Sequence, residues 1–277
     1  MLFLIVLVSQ LASVADDCTD CNPFFGGLPL VSSSGPVVTE SLTVIENRTY
    51  VVGYSDARMN PLWVCYRVYD VAQVGPAPSY SWRIDHRTTA KVADNDYKYT
   101  GFQRGHMAPK SAMYHCYGSS AVRDTFVLSN ACPQLGEFNN GPWGDLEDLV
   151  RGNYSILLDE VWVITGPIFD DRNGQDFLSK DVEHACCQQK LVEIPDAFYK
   201  IIIDELDGEV RALAFIIGHS EGYEYGQGDS IVERLSGFLF NIDQIEAATG
   251  LDFLSELEDT LEYDLEREPA TMWRESK

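Results

Sequence analysis

Basic residues are scarce in this chain. Lys and Arg number 20 against 43 Asp and Glu among 277 residues, a formal charge of −23 at pH 7. Such a balance argues against a protein that holds nucleic acid by bulk electrostatics, because that mode of binding neutralises phosphates with Lys and Arg. Long apolar runs are missing as well. After the N-terminus no segment approaches the ~18 uninterrupted apolar residues of a membrane span, so no stable membrane association is expected once a leader is removed. Internal repeats are absent, and no composition shift marks a domain boundary. The C-x-x-C pair Cys18 and Cys21 has no second pair at zinc-ligand spacing to answer it, which favours a disulfide role over a zinc site.

What is present is an ordinary globular composition, 45% hydrophobic and 23% charged, in a chain long enough to bury a substantial core. The N-terminal run Leu2–Val8, followed by Ser13 and Ala15, has the form of a cleaved signal, although it lacks a basic start. Seven cysteines then suit an oxidising compartment with two or three disulfides. The location these features imply is secreted and extracellular, or periplasmic. The expected division is a signal peptide over 1–15, an irregular lead-in over 16–45, one domain over 46–255, and an acidic tail over 256–277. Charge is unevenly spread: Arg83 to Asp124 holds seven bases and four acids, whereas Leu251 to the end holds nine acids and three bases. A local basic surface can therefore exist inside an acidic protein.

β-Branched and aromatic stretches at 50–54, 62–70, 125–131 and 161–169 read as strands. Segments 197–204 and 210–219 form a further strand pair, joined by Asp207-Gly208. Helical spacing marks 142–152, with Pro142 at the start and Gly152 as a stop, and again 241–250, closed by Gly250. The region 72–100 reads as loop. Strands and helices intermix without a regular β-α-β rhythm, which predicts an α+β fold with a mixed, largely antiparallel sheet.

Chemistry concentrates in "QRGHMA" (103–108). His106 is a base tunable near neutral pH, Arg104 carries a planar fork suited to phosphate, and Gly105 permits close backbone approach. Downstream, Asn139 stands at the entrance of the 142–152 helix and Glu147 follows about two turns later. One amide ligand and several retained waters suit Mg²⁺. By themselves, a His beside an Arg and an Asn before a Pro-led helix are more often a solvated pair and a cap.

The ordered motifs add a resemblance. Over about residues 50–255 the chain resembles the DNA/RNA non-specific endonucleases, a group with ββα-metal architecture. The motifs are Gln103-Arg104-Gly105-His106, Leu128-Ser129-Asn130, Pro133-Gln134, Asn139 through Gly141, Trp143, Leu146 and Glu147, then Thr165–Phe169 and Thr249–Phe253. The resemblance implies an enzyme that cleaves phosphodiester bonds of DNA and RNA with Mg²⁺, for which Mn²⁺ can substitute. It implies His106 as general base, Asn139 as the direct metal ligand and Glu147 as a ligand through water. Arg104 and Asn130 would orient or stabilise the phosphate and the histidine, and Gln103 would stand beside the substrate. Arg83 and Arg87 match the family only loosely as phosphate binders, and His115, His184 and His219 fall outside its motifs. The chain departs from the family at Gln103, where the pattern has Asp. A nuclease-like binding protein without turnover, and a phosphodiesterase of small or lipid substrates, therefore stay open at this level.

Overall fold

A computed structural model of the protein describes residues 22–32, 42–70, 75–181, 183–184, 190–220, 228–267 and 270–273. The expected signal segment and Cys18, Cys21, Cys186 and Cys187 lie outside them. The elements follow in the order β1 (Leu30–Val31), β2 (Thr43–Glu46), β3 (Tyr50–Ser55), β4 (Asn60–Tyr69), α1 (Asp94–Tyr97), β5 (Gln103–His106), α2 (Lys110–Thr125), β6 (Ala131–Gln134), α3 (Gly136–Asn140) and α4 (Pro142–Leu149). Then come α5 (Ser155–Leu157), β7 (Glu160–Ile168), β8 (Ala197–Leu206), β9 (Glu209–Gly218), α6 (Ile231–Leu235), β10 (Leu239–Phe240), α7 (Ile242–Thr249), β11 (Leu251–Asp252) and α8 (Asp259–Arg267).

Seven strands form one antiparallel sheet in the order β10-β9-β8-β7-β4-β3-β2. Its central strands are apolar at consecutive positions rather than alternately, because both faces are covered. One face carries Val52, Tyr66, Val163, Phe198, Ile202 and Phe215, packed with Met113 of α2 and Trp143, Leu146 and Leu149 of α4. The other carries Val51, Trp63, Ile164, Tyr199 and Ile201, packed with Ile242 and Ile245 of α7 and with Phe253. Burial of these side chains is the main stabilising contribution, at about 25 cal/mol per Å² of apolar surface. The mixed α+β architecture and the antiparallel sheet are as expected.

Several expected elements hold in detail. Strands β8 and β9 turn at Asp207 and Gly208, both at positive φ (56° and 85°), the conformation a tight hairpin requires. Helix α7 is opened by a reciprocal cap between Asn241 and Gln244 and closed by Gly250 at φ 70°. Others do not. The strand expected at 125–131 is instead the end of α2, a bridge from Val127 to Arg83, and a 3-10 turn at Leu128–Asn130. Its apolar residues are buried in a turn whose backbone bonds go to Arg83 and Met107 rather than to a strand ladder, so strand propensity loses to tertiary packing.

Gly152 does not stop its helix either. The chain continues through a π-turn at Val150–Tyr154 into α5, where Tyr154 is buried against Trp273. Helix α2 was not foreseen: Gly118, at φ 78°, kinks it, so neither half carries a sustained apolar stripe. The lead-in is not wholly irregular, since β1 pairs with β11 and β2 joins the sheet. The expected two or three disulfides are reduced to at most two, because Cys65, Cys116 and Cys132 are buried free thiols.

Candidate active site

Strand β5 pairs with β6 as a separate two-stranded unit, with Gln103 opposite Gln134 and His106 opposite Ala131. Close packing explains Gly105: a Cβ there would lie 1.8 Å from Oε1 of Gln134, whose side chain is fully buried. Side chains alternate along the strand, so Arg104 and His106 share one face and Gln103 takes the other.

His106 is half-buried, stacked against Trp82 (ring centroids 4.5 Å) and met edge-on by Phe126 (4.8 Å). Its Nε2 is buried without a hydrogen-bond partner. Burial, reinforced by the charge of Lys110, pushes the imidazole well below its ordinary value. The ring is therefore neutral at pH 7, the form a general base requires.

Asn130 holds the chain immediately after His106. Its Oδ1 accepts from Ala108 N (2.8 Å), and its Nδ2 donates to the carbonyls of Ala108 and Thr125 (both 3.1 Å). Fully buried and fully bonded, this amide has no atom left to meet a phosphate. Of the two tasks expected of Asn130, orienting the phosphate and orienting the histidine, these bonds engage it with the backbone that follows His106. Arg104 is also engaged. Its Nε is 2.7 Å from the Asp94 carboxylate, its Nη2 donates to the Asp94 carbonyl, and its guanidinium lies over Tyr97.

Across the strand, Nδ2 of Asn139 donates to Oε1 of Gln103 at 2.7 Å. The bond joins β5 directly to α3 and leaves the Asn139 amide oxygen as the end that can take a cation. Gln103 thus retains the acceptor that an aspartate would offer there, without the charge. Glu147 is half-buried on α4. Burial raises its pKa and the nearby Lys200 ammonium lowers it, while burial lowers the pKa of Lys200 and Glu147 raises it. One neutral oxygen ligand and one carboxylate form a donor set suited to a hard, well-hydrated divalent cation, so the residues present fit such an ion.

Three supporting residues lie outside the sequence motifs. Asp85 is buried, accepts from Ser129 (2.6 Å) and Arg87 (2.7 Å), and so ties the 83–87 loop to the turn before β6. His219 accepts from Leu135 N through Nε2 (2.8 Å) and anchors the start of α3. Lys200 is wholly buried, its Nζ 3.3 Å from the Tyr66 hydroxyl, 3.4 Å from Thr165 Oγ1 and 4.3 Å above the Trp143 ring. A lysine in the middle of an apolar strand is the one signal of this kind visible in the sequence. Arg87 is bound to Asp85, Asn47 and the Glu46 carbonyl, and His184 stacks on Tyr99. No helix among the described residues is long and apolar enough to cross a membrane.

Comparison with known proteins agrees with this geometry. A family model described as DNA/RNA non-specific endonuclease matches residues 32–260. Mitochondrial endonuclease G of Bos taurus is 31% identical over 213 residues, covering 74% of this chain and 67% of the relative. Mitochondrial nuclease EXOG of Xenopus laevis is 29% identical over 233 residues, covering 78% of this chain and 64% of the relative. The chain thus spans about two thirds of the length of these relatives. A crystal structure of the EndoG/EndoGI complex, described as showing the mechanism of EndoG inhibition, superposes with a TM-score of 0.63. It is 24% identical and covers 78% of this chain and 86% of that one, which shows a shared fold. These relatives are mitochondrial nucleases, and they overturn the secreted, extracellular or periplasmic location expected from the N-terminus.

Proposed function

From the premise that this chain belongs to the DNA/RNA non-specific endonuclease family, we propose that it hydrolyses phosphodiester bonds of DNA and RNA with little sequence preference. The observation that carries this reading is the Asn139–Gln103 bond on the strand that ends in His106. It couples a cation-binding amide to the base within one small β-β-α unit. Asn139 would hold a divalent cation directly and Glu147 would hold it through water, with Mg²⁺ the preferred ion and Mn²⁺ a substitute. Once bound, the cation supplies positive charge to the non-bridging oxygens and to the departing oxyanion.

The remaining work falls to this chain's own groups. Neutral His106 takes the proton from the attacking water. Trp82 and Phe126 fix its ring plane, and Asn130 fixes the backbone that follows it. Arg104, steadied by Asp94, contributes its charge on the same strand face as His106. Indifference to the sugar follows if contacts are made to phosphate, since the 2′-hydroxyl is what separates RNA from DNA.

The alternative of a nuclease-like binder without turnover drew on Gln103. The bond from Asn139 gives that glutamine a positioning role compatible with turnover. The test is cleavage of supercoiled plasmid and of RNA across Mg²⁺ and Mn²⁺ titrations. The parent should cut both, and His106→Ala and Asn139→Ala should each lose about a hundredfold or more. Intact substrates at every metal concentration, or a His106→Ala variant as active as the parent, would refute the proposal.

A further inference from the structure

His219, the residue after β9, is bound at both ring nitrogens. Nε2 lies 2.8 Å from the Leu135 nitrogen, and Nδ1 lies 2.8 Å from the Pro195 carbonyl oxygen. A backbone N–H can only donate and a carbonyl can only accept. Nε2 must therefore be bare and Nδ1 must carry the proton, which fixes the ring as one neutral tautomer. Its surroundings hold it there. Phe138 and Phe198 meet the ring edge-on (centroids 5.1 and 5.3 Å), Phe102 lies 6.0 Å away, and the His219 backbone N–H donates to the Asp196 carbonyl at 2.7 Å. Burial lowers the pKa of the ring by more than the Pro195 carbonyl and the Asp196 charge raise it.

This clamp acts one helical turn from the cation-binding amide. The backbone of Leu135 is used on both sides: its N–H meets His219, and its carbonyl accepts from the Asn139 N–H at 2.9 Å. Asn139 in turn donates from Nδ2 to Gln103. Phe138, beside Asn139, is one of the rings packed on the imidazole. Helix α3 has only five residues, and a helix this short has no stability of its own in water. No side chain at its own N-cap secures its start. The hold comes from His219, 84 positions along the chain. Packing does not explain the imidazole: a phenylalanine would suit a nest of three phenylalanine rings, but would leave the Leu135 N–H and the Pro195 carbonyl unbonded.

We infer that His219 is a positioning residue for the divalent cation, setting the first turn of α3 through the Leu135 N–H and thereby aiming the Asn139 amide. This rests on the nuclease reading and adds to it the group that places the metal ligand.

The test begins with the metal-free protein. Isotope-edited NMR of the parent at pH 7 should show His219 neutral with its proton on Nδ1; a proton on Nε2 overturns the inference. This measurement needs no variant, so it stands even if a substitution prevents folding. His219→Phe keeps the ring packing and loses both bonds, whereas His219→Gln keeps an acceptor for Leu135. In His219→Phe the Leu135 amide should exchange with solvent about tenfold faster or more. Binding of MnCl₂ to the same variant, followed by electron paramagnetic resonance, should weaken by about tenfold or more, as expected when a group that orients a metal ligand is lost. His219→Gln should stay within about threefold of the parent in both measurements. Asn139→Ala defines the Mn²⁺ held elsewhere on this acidic chain, which is subtracted. Unchanged Mn²⁺ affinity in His219→Phe, or a loss that His219→Gln does not restore, overturns the inference. Plasmid and RNA cleavage by the parent is assayed alongside. If that activity is absent, the nuclease reading has failed and this role falls with it. If it is present while the Mn²⁺ affinities do not separate, only the role of His219 is wrong.

Discussion

The two coverings of the seven-stranded sheet arrange charge in opposite ways. On the face covered by α2 and α4, Lys200 lies among Tyr66, Thr165 and Trp143 and within the field of Glu147, an acid and a base balancing each other. On the face covered by α7 and α8, acids meet acids. Ligand oxygens of Asp243, Glu246 and Glu266 lie within 4.8 Å of one another, as do those of Asp252, Glu262 and Glu266. Burial and these neighbours push Glu246 up to about 7 and Glu266 up to about 8. The opposite charge of Lys200 offsets part of the burial that raises the Glu147 pKa. Partly exposed charges of one sign, crowded together, store repulsion that a proton relieves.

The largest way to break this contrast is to remove the lysine. Lys200→Met leaves Glu147 without its counter-charge, and losing one partner of a buried pair costs about 3 kcal/mol or more. The loss should be greatest at pH 8, where Glu147 is ionised, and smaller at pH 6, where it can take a proton. Urea unfolding at the two pH values measures the difference, and a loss independent of pH would show that Lys200 serves packing alone.

A smaller change sharpens the site side of the comparison. Gln103→Asp keeps an acceptor for Asn139 but adds a charge beside the cation ligand. It should lower the Mg²⁺ concentration for half-maximal cleavage by several fold, since a charged acceptor forms a hydrogen bond roughly twice as strong. An unchanged metal requirement would mean that the glutamine already does all that the position asks.

The smallest effect is expected on the opposite face. For a carboxyl raised by folding, the native state binds more protons than the unfolded state between the two pKa values, so stability falls as pH rises through that window. For Glu246 and Glu266 the window runs from the ordinary carboxylate range up to about 7 and about 8. Glu266→Gln should therefore raise the melting temperature at pH 8 by about 2–4 °C, equivalent to roughly 1 kcal/mol, and leave it unchanged at pH 5. Equal shifts at both pH values would remove like-charge repulsion as the cause.

Much of the frame was legible from residue order. The strands at 50–55, 60–69 and 160–168, the 197–218 hairpin and α7 announce themselves through β-branched runs, Asp-Gly and helical spacing closed by Gly250. The helix from Pro142 is legible too, from its apolar spacing and leading proline. Helix α2 was not legible, because its kink at Gly118 divides it into halves too short for periodicity to register. The turn at 128–130 was hidden for a different reason: its backbone is held by Arg83 and Met107, residues 45 and 23 positions away from their partners Leu128 and Asn130.

By itself, then, the sequence determined an antiparallel α+β protein, the motif bearing Arg104, Gly105 and His106, and the Asn139–Glu147 segment that follows. Local propensity and short-range spacing are enough for each of these. Only the tertiary structure decided that Gln103 holds Asn139, that Asn130 supports the backbone after His106, that Trp82 stacks on His106, and that Lys200 faces Glu147. Those partners lie between 22 and 53 positions apart in the chain. Periodicity reports which face of a strand or helix is covered, and packing alone decides which residue covers it.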